Sequence, residues 1–594
     1  MIKIIMLLEI NVGLYGMWPS GRVSRFIQLS SIFSVLVISS CNTDMPSFPQ
    51  FNTRKLFQVL DGSQSDAITD SLNRFALDSS QVPGADSAQN RYLKLMYQWH
   101  QGKAFWVSDT GCNAFAKKWL LSLEELLYDG LNPESFGKDT LSKQMLALKR
   151  KKNNLHGLIH YELAMSLSVL QSAEKLLYGS GAYPQHAKYW KLPNDTALQV
   201  HKLVYNELCK GDSATLLKSF RPDHPYYQSY LQEYKQWYPY RDSVFPVLLP
   251  VQDSLHTGDT FSWVQGLRKR LHFLIPGNNI DSAGSRWDAS IEKALSDFQF
   301  LNGIRRTARP DSTTMSLLNR SLADRMEQVA INMERMRMMP HHFRQPYIWV
   351  DVPRMELDYR DHNQTEFTMR VVVGRPSRPT TMLCARLKNI VFSPPWTVPP
   401  TIMREEVIPG IARRGVSYLK RKGLRVYDRS GHVVPASQIN LATIKRYSIG
   451  QSPGYRSSLG EVKFNLPNPW SIYLHDTPHR DDFVKFYRAY SSGCIRVHHP
   501  KEFAAFLLAD STKYSLSKID SICKRRKTMY VPYEKMLDVY IVYLTNTPDS
   551  AGRMIYHRDI YHWDALSRKT ATEPVLTQVG TTEMKGQQLQ YRTD

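Results

Sequence analysis

The spacing of apolar residues changes once along this chain, close to Met339-Pro340. Before that point apolar residues recur at three- and four-residue steps, which is typical of amphipathic helices. After it they alternate with polar residues, which is typical of strands that bury one face. A chain of 594 residues is also longer than one core usually serves. The sequence therefore predicts a multi-domain α+β protein, with helices first and strands second.

The helical part of the sequence divides into a large and a small segment. Residues 51–255 are rich in aromatic and apolar positions, and we expect helices over residues 119–127 and 156–177. Gly130 follows the first of these helices and is a suitable stop signal. No cluster of catalytic residue types is found in the large segment, which we interpret as a scaffold domain. The small segment, residues 258–320, is a separate helical module.

A methionine-rich stripe follows the small module on one predicted helix. Its members are Leu322, Met326, Val329, Met333 and Met336. Such a stripe is more often part of a core than of a cofactor site. We expect it to pack against the scaffold domain.

A histidine stands on one of the strands in the second half. Ile472 and Leu474 would face a core, so Tyr473 and His475 would lie together on the opposite face. Tyr473 could orient the imidazole through its hydroxyl group.

A cysteine stands on the next short strand, in the run Ser492-Gly-Cys-Ile-Arg496. Cys494 and Arg496 would share a face, and Ser492-Gly493 would make the tight, exposed turn that a reactive thiol requires. His475 could accept the thiol proton, and Arg496 would add positive potential. The N–H groups of Gly493 and Cys494 could form an oxyanion hole. The alternative, a buried cysteine and a core histidine, leaves the complete motif unexplained.

These residues resemble the L,D-transpeptidase (YkuD) family, in particular its multi-domain, YcbB-type branch. The resemblance is carried by His475-Asp-Thr-Pro, by Ser491-Ser-Gly-Cys-Ile-Arg496 and by Arg370-Val-Val-Val-Gly-Arg-Pro376. Many family members have His where this chain has Ser492, so no role is carried over to that side chain from them. The resemblance implies a mostly β catalytic domain at residues 346–565.

The same resemblance implies a reaction. Cys494 would attack a peptidoglycan stem peptide and form a thioester, which an acceptor amine would then resolve, without a cofactor. Carbapenems would trap the cysteine. Two alternatives stay open: an L,D-carboxypeptidase that uses water as acceptor, and a catalytically silent lipoprotein that binds the cell wall.

A long insertion, residues 397–455, interrupts the predicted strands. It contains a helix-like run and a cluster of basic residues: Arg413, Arg414, Lys420, Arg421, Lys422 and Arg425. Its length favours a lid over the site, as in the YcbB-type branch. A solvated basic surface is the alternative.

The small module resembles peptidoglycan-binding domains at Ala294, Phe298, Gln299 and Gly303. It departs from them at Arg305-Arg-Thr-Ala-Arg-Pro310, where those domains usually carry Asp-Gly. Glycan binding and a purely structural role both remain open.

The N-terminal sequence predicts that the protein is exported. Residues 1–40 contain basic residues, a short apolar run and then Ile38-Ser-Ser-Cys41, which resembles a bacterial lipobox. Cys41 would carry the lipid, and the protein would face the periplasm of a Gram-negative-type bacterium, anchored in a membrane. The polar tail at residues 570–594 is expected to be disordered.

The net charge limits which binding partners are expected, and the cysteine spacing limits which metal sites are expected. The formal net charge is +22, but the basic residues are scattered and no nucleic-acid-binding signature appears, so an acidic wall polymer is the favoured partner. No metal-site spacing is present. The pairing of the other cysteines, Cys112, Cys209, Cys384 and Cys523, is open.

Overall fold

The computed structural model describes residues 63–150, 154–180, 190–192, 199–249, 255–275, 277–362, 364–440 and 442–565. The predicted signal segment, Cys41 and the tail at residues 570–594 lie outside these ranges. All of the described residues except Cys209–Gly211 belong to one compact unit. No helix among the described residues is long and apolar enough to cross a membrane.

The N-terminal half is helical, as predicted. Its helices are α1 (Ser63–Leu77), α2 (Ser87–Trp99), α3 (Ala114–Glu124), α4 (Lys138–Arg150), α5 (Leu155–Tyr178), α6 (Val200–Lys210), α7 (Ser213–Phe220), α8 (Pro225–Trp237), α9 (Ser262–Leu274), α10 (Ala289–Leu301), α11 (Ser312–Leu318) and α12 (Leu322–Arg337). A short hairpin, β1 (Val107–Ser108) with β2 (Gly111–Cys112), lies among them. The helix expected over residues 119–127 is α3 continued by a 3-10 turn, Glu125–Asp129. It ends at Gly130, whose φ of 69° suits glycine.

The small module has a hydrophobic core of its own, built by α9, α10 and α11 around Trp287. The motif residues Ala294, Phe298 and Gln299 are all buried. The Gln299 amide donates to Thr307 and Thr314 at 2.8 and 2.9 Å. The resemblance to peptidoglycan-binding domains therefore falls on residues that hold the module together.

The C-terminal half is built on strands β4 (Tyr347–Asp351), β5 (Glu356–Asp361), β6 (Gln364–Gly374), β7 (Met382–Arg386), β8 (Asn389–Phe392), β9 (Trp396–Thr397), β10 (Arg425–Tyr427), β11 (Ser448–Gln451), β12 (Val462–Asn465), β13 (Leu474–His475), β14 (Ala489–Ser491), β15 (Ile495–Val497), β16 (Met529–Pro532), β17 (Asp538–Val542), β18 (Asn546–Pro548) and β19 (Met554–Tyr556). Its helices are α13 (Pro400–Ile402), a π-helical turn (Met403–Val407), α14 (Ile408–Arg414), α15 (Ser417–Arg421), α16 (Pro500–Leu508), α17 (Ser511–Tyr514) and α18 (Leu516–Lys524). The helical first half and the mostly β second half confirm the predicted fold class.

One large sheet organises this half. Its strands follow the order β16-β8-β12-β13-β15-β6-β5-β4-β17-β7-β3, and β14 pairs with β6. The edge strand β3 (Trp190–Lys191) comes from the helical half and pairs with β7 in parallel. The sheet is therefore completed by the scaffold, a contact between distant parts of the chain that the sequence did not predict.

The methionine stripe packs in two directions. Leu322 and Met326 lie in a cluster with Trp237 of α8, as predicted. Met333 and Met336 instead join the core of the large sheet. Helix α12 thus links the scaffold to the strands.

The insertion folds around its own small core. Its strands form a three-stranded antiparallel sheet in the order β10-β11-β9. The core includes Val407 and Ile411 from the helices and Val426 and Ile449 from the strands. It is a compact subdomain that both leaves and rejoins the catalytic half at the β9–β11 pair.

Candidate active site

Strand register brings the predicted residues to one face. Strand β13 lies between β12, antiparallel to it, and β15, parallel to it. His475 pairs with Lys463 on one side and with Arg496 on the other. Paired residues of neighbouring strands point the same way, so these three side chains share a face. Leu474 is fully buried on the other face, as the alternation predicted.

Strand β13 is shorter than the alternation suggested. Only Leu474 and His475 form the ladder, and Ser471 has a φ of 55°. Before β13, the side-chain amide of Asn468 binds the backbone in place of a neighbouring strand. It accepts from Ile472 N at 3.1 Å and donates to Ile472 O at 2.7 Å. A side chain therefore replaces the strand partner, and the chain turns just before the site.

The turn that carries the cysteine is held by two hydroxyl groups. Ser491 Oγ accepts from Gly493 N at 3.1 Å and donates to the Cys494 carbonyl. Thr380 Oγ1 donates to Gly493 O at 2.9 Å and accepts from Gly374 N at 2.8 Å. Gly493 has a φ of 117°, a conformation that favours glycine. Thr380 lies 114 positions before the cysteine and carries no local sequence signal for this role.

The Cys494 thiol lies beside Tyr473. Its Sγ donates a hydrogen bond to Ser471 O at 3.4 Å. Burial raises the pKa of the thiol, while hydrogen bonds from the Tyr473 backbone N–H and hydroxyl act to lower it. Tyr473 is thus placed against the predicted nucleophile, Cys494, whereas the sequence suggested that it would orient His475. Its ring also meets the His475 imidazole edge-on, with the centroids 5.6 Å apart.

His475 is buried and neutral. Its Nδ1 faces the Asp476 carbonyl, which can only accept a hydrogen bond, so Nδ1 carries the proton and Nε2 keeps a free lone pair. Burial, followed by the charges of Arg496 and Lys463, lowers the pKa of His475 to about 3. Within the described residues no hydrogen bond joins His475 to Cys494. Catalytic hydrogen bonds often tighten only when substrate binds.

Arg496 has an ion-pair partner. Its Nη1 lies 3.1 Å from the Asp482 carboxylate, which follows the His475-Asp-Thr-Pro run. Burial lowers the pKa of the guanidinium, and Asp482 opposes that shift. Part of the Arg496 charge is therefore already neutralised.

The two N–H groups predicted to form an oxyanion hole, those of Gly493 and Cys494, differ in whether they already donate a hydrogen bond. The Gly493 N–H is engaged by Ser491, as described above. In the described part of the chain, the Cys494 N–H donates no hydrogen bond and so remains available. An oxyanion hole made by both groups stays a prediction.

Ser492 links the catalytic turn to the insertion. Its hydroxyl accepts from Arg378 Nη1 at 3.0 Å. Arg378 also forms ion pairs with Glu405 and, at 2.9 Å, with Glu406 of the π-helical turn. One side chain therefore connects the insertion to the turn that carries the nucleophile.

Lys463 is the site residue that sequence reasoning missed. Val462 and Phe464 of β12 are buried, and the same alternation places Lys463 between them on the site face. Its ammonium lies 4.1 Å from the centroid of the Tyr473 ring. The alternation in β12 could be seen in the sequence, but it places Lys463 at the site only because β12 lies beside β13.

Three other cysteines lie outside this site. Cys112, Cys384 and Cys523 carry free thiols, and burial raises the pKa of each. Among the described residues no group of three or more His, Cys, Asp or Glu side chains could hold a metal ion.

Two stretches of the chain match known protein families. Residues 345–519 match the L,D-transpeptidase catalytic domain (YkuD), and residues 91–233 match a scaffold domain. A Haemophilus influenzae protein, provisionally named an L,D-transpeptidase, is 30% identical over 286 residues. The match covers 47% of this chain and 57% of that protein, so the chain spans little more than half of its relative's length.

Two solved structures are more distant. An L,D-transpeptidase from Stackebrandtia nassauensis is 12% identical, with 50% of this chain and 97% of that chain covered and a TM-score of 0.19. An Ldtfm–avibactam carbamoyl enzyme is also 12% identical, with coverage of 34% and 51% and a TM-score of 0.17. Scores this low carry no structural argument. On the family matches, residues 345–519 form an L,D-transpeptidase catalytic domain of the YkuD family, and a scaffold domain precedes it in the same chain.

Proposed function

We propose that the protein is a peptidoglycan L,D-transpeptidase that joins stem peptides through a thioester on Cys494. The observation that supports this most is the strand register that places His475 and Arg496 on one face, with the Cys494 thiol beside Tyr473 at the end of the same strands. The family match of residues 345–519 supports the reaction class. The high positive charge suits a wall polymer that carries carboxylates.

The proposed reaction has two halves. His475 Nε2 takes the proton from the Cys494 thiol, and the thiolate adds to the carbonyl of the third residue of a donor tetrapeptide. The free N–H of Cys494 stabilises the resulting oxyanion. The carbon–nitrogen bond then breaks, His475 returns its proton to the leaving D-Ala amine, and a thioester remains. An acceptor amine attacks the thioester and releases the thiol.

The acceptor distinguishes this proposal from its nearest alternative. If water resolves the thioester, the protein is an L,D-carboxypeptidase that trims tetrapeptides. Incubation with tetrapeptide-bearing wall material, followed by digestion and muropeptide analysis, separates the outcomes. Crosslinked dimers support transpeptidation, tripeptide monomers alone support trimming, and unchanged material would indicate a catalytically silent wall-binding protein.

The nucleophile is tested by Cys494→Ala. We expect the intact protein to gain one covalent adduct from a carbapenem, and the variant to gain none and to form no crosslinks. Cys384→Ser is the matched control because it removes a half-buried thiol from β7 and should leave both results unchanged. Full crosslinking by Cys494→Ala would rule out the mechanism.

We further propose that Cys41 is lipidated and anchors the protein to a membrane facing the periplasm. The support is the lipobox-like run Ile38-Ser-Ser-Cys41. Cells fed a fatty-acid analogue should label the native protein and not Cys41→Ser, which should move to the soluble fraction. Absence of label on the native protein would contradict the anchor.

A further inference from the structure

A lysine lies at the site without a carboxylate partner. Lys463 is half-buried on β12, directly across from His475. In the described part of the chain it forms no ion pair, although neighbouring cations do: Arg496 pairs with Asp482 and Arg480 with Asp476. An ammonium group held partly out of water without a counter-charge is unfavourable. A charged Lys463 is therefore unfavourable at this position unless a negative group forms close to it.

Lys463 is connected to Cys494 through Tyr473. Its ammonium rests on the Tyr473 ring, and the same tyrosine contacts the thiol through its hydroxyl and backbone N–H. Burial lowers the pKa of Lys463, whereas a charged Cys494 would raise it. The only negative charge that this ammonium could meet among these side chains is therefore a thiolate.

We propose that Lys463 is a positioning residue whose ammonium stabilises the Cys494 thiolate and holds Tyr473 against it. This inference rests on the proposed function, because it concerns the same nucleophile. When the thiol proton passes to His475, three positive groups surround one thiolate. Arg496 is partly neutralised by Asp482, so Lys463 is the cation without an opposing carboxylate. A cation on an aromatic ring also fixes the ring in place.

The alternative is that Lys463 only supports the Tyr473 ring. An electrostatic role and a structural one differ in their pH dependence. Removing a charge that favours the thiolate raises the thiol pKa, which slows thiol reactions below that pKa and leaves them unchanged above it. A misplaced ring would slow the reaction at every pH.

The test measures alkylation of Cys494 by iodoacetamide in the full chain between pH 6 and pH 10. In this reaction a sulfur–carbon bond forms, iodide leaves and the thiol proton is released. The Cys494 peptide is quantified by mass spectrometry, which separates it from the other cysteines. For Lys463→Met we expect roughly tenfold slower alkylation at pH 7 and a difference from the parent protein that narrows towards pH 10, as the pH approaches the raised thiol pKa.

Two variants complete the design. Lys463→Arg keeps the charge and should stay within about twofold of the parent at pH 7. Lys513→Met removes a charge from an exposed lysine in α17 and should have no effect. An unchanged pH profile in Lys463→Met, or equal loss at all pH values, would overturn the electrostatic role.

Folding and function are kept separate in this design. If Lys463→Met loses cooperative melting, Lys463→Gln is measured in its place, and failure of both to fold would assign Lys463 a structural role and overturn the proposal. Alkylation does not require peptidoglycan, so a negative result here leaves the transpeptidase proposal intact. Conversely, crosslinking by Cys494→Ala would reject the transpeptidase mechanism without affecting the alkylation result.

Discussion

At the scale of single residues, burial decides which groups are charged before substrate arrives. Burial keeps His475 neutral and raises the pKa of the Cys494 thiol. The site therefore rests as a thiol beside a neutral imidazole, and not as a thiolate–imidazolium pair. The transfer of the thiol proton to His475, which the sequence suggested, has therefore not taken place in this resting state. In the proposed mechanism, the thiol proton therefore moves to His475 only during the reaction.

This resting state predicts a simple pH profile for Cys494 alkylation. Because the thiol pKa is raised, the thiolate fraction should increase about tenfold per pH unit from pH 5.5 to pH 8. His475, with a pKa of about 3, is neutral throughout that range and should add no step near pH 6.5. A rate plateau between those pH values would reveal a preformed ion pair and contradict this prediction.

His475→Ala gives a second check on the same state. It should retain the single slope of the alkylation profile, because the thiol still titrates alone. It should lose acylation by the proposed substrate, because the proton acceptor is gone.

At the scale of elements, the site depends on short segments whose ends are fixed by side chains. Asn468 ends the extended run before β13, and Thr380 ties the cysteine turn to β6. The insertion is fixed in the same manner, through Arg378. Its ion pairs with Glu405 and Glu406 and its hydrogen bond to Ser492 form one connected group. The π-helical turn therefore contacts the turn that carries Cys494 through the Arg378 guanidinium, and Glu406 also pairs with Arg375 at 3.5 Å.

Arg378→Ala should loosen the insertion without unfolding the sheet. Surface-accessible ion pairs contribute about 1 kcal/mol or less each, so we expect hydrogen exchange in residues 400–414 to accelerate roughly tenfold. Crosslinking of polymeric wall should fall several-fold if the insertion is a lid over the substrate. The control Arg386→Ala removes an ion pair between Arg386 on β7 and Asp538 on β17 and should change neither hydrogen exchange nor crosslinking.

The insertion can also be removed as a unit. Thr397 and Gly450 are register partners, so joining them by a short glycine linker deletes residues 398–449 at a point where the chain already meets. The remaining sheet should fold, with turnover of polymeric wall strongly reduced. If the variant crosslinks at the parental rate, the insertion is a solvated basic surface and not a lid.

At the scale of the whole molecule, helix α12, which packs on the scaffold through Leu322 and Met326, shares buried polar contacts with the C-terminal half. Asn332 of α12 donates to Thr545 Oγ1 and Asn546 Oδ1, each at 2.8 Å, and accepts from Thr545 N at 2.9 Å. Nearby, Arg335 pairs with Asp564 at 2.7 Å. These groups are buried, so leaving one unpaired is costly. Scaffold and sheet are therefore expected to unfold together.

Asn332→Leu tests this coupling. It leaves the Thr545 N–H and the Asn546 side chain without their partner, which should lower the free energy of unfolding by about 3 kcal/mol. Denaturant unfolding followed by tryptophan fluorescence should give one transition at a lower midpoint. Gln265→Leu removes an exposed hydrogen bond in the small module and should shift the midpoint little. Two separate transitions in the parent protein would contradict the coupling.

Local patterns determined much of this protein. The change from helical to alternating spacing determined the fold class, because each period buries one face of one type of element. The same alternation placed Tyr473 with His475 and Cys494 with Arg496, and the residue types suggested a nucleophile and a base. These inferences needed only residues within a few positions of one another.

The tertiary structure decided what depends on distant partners. Lys463 became a site residue only because β12 lies beside β13, and Thr380 only because the loop after β6 reaches the cysteine turn. The protonation of His475 and Cys494 follows from burial, which is a property of the whole packed domain. Strand order, burial and long-range hydrogen bonds are set by the entire chain at once, so no local stretch of sequence could have specified them.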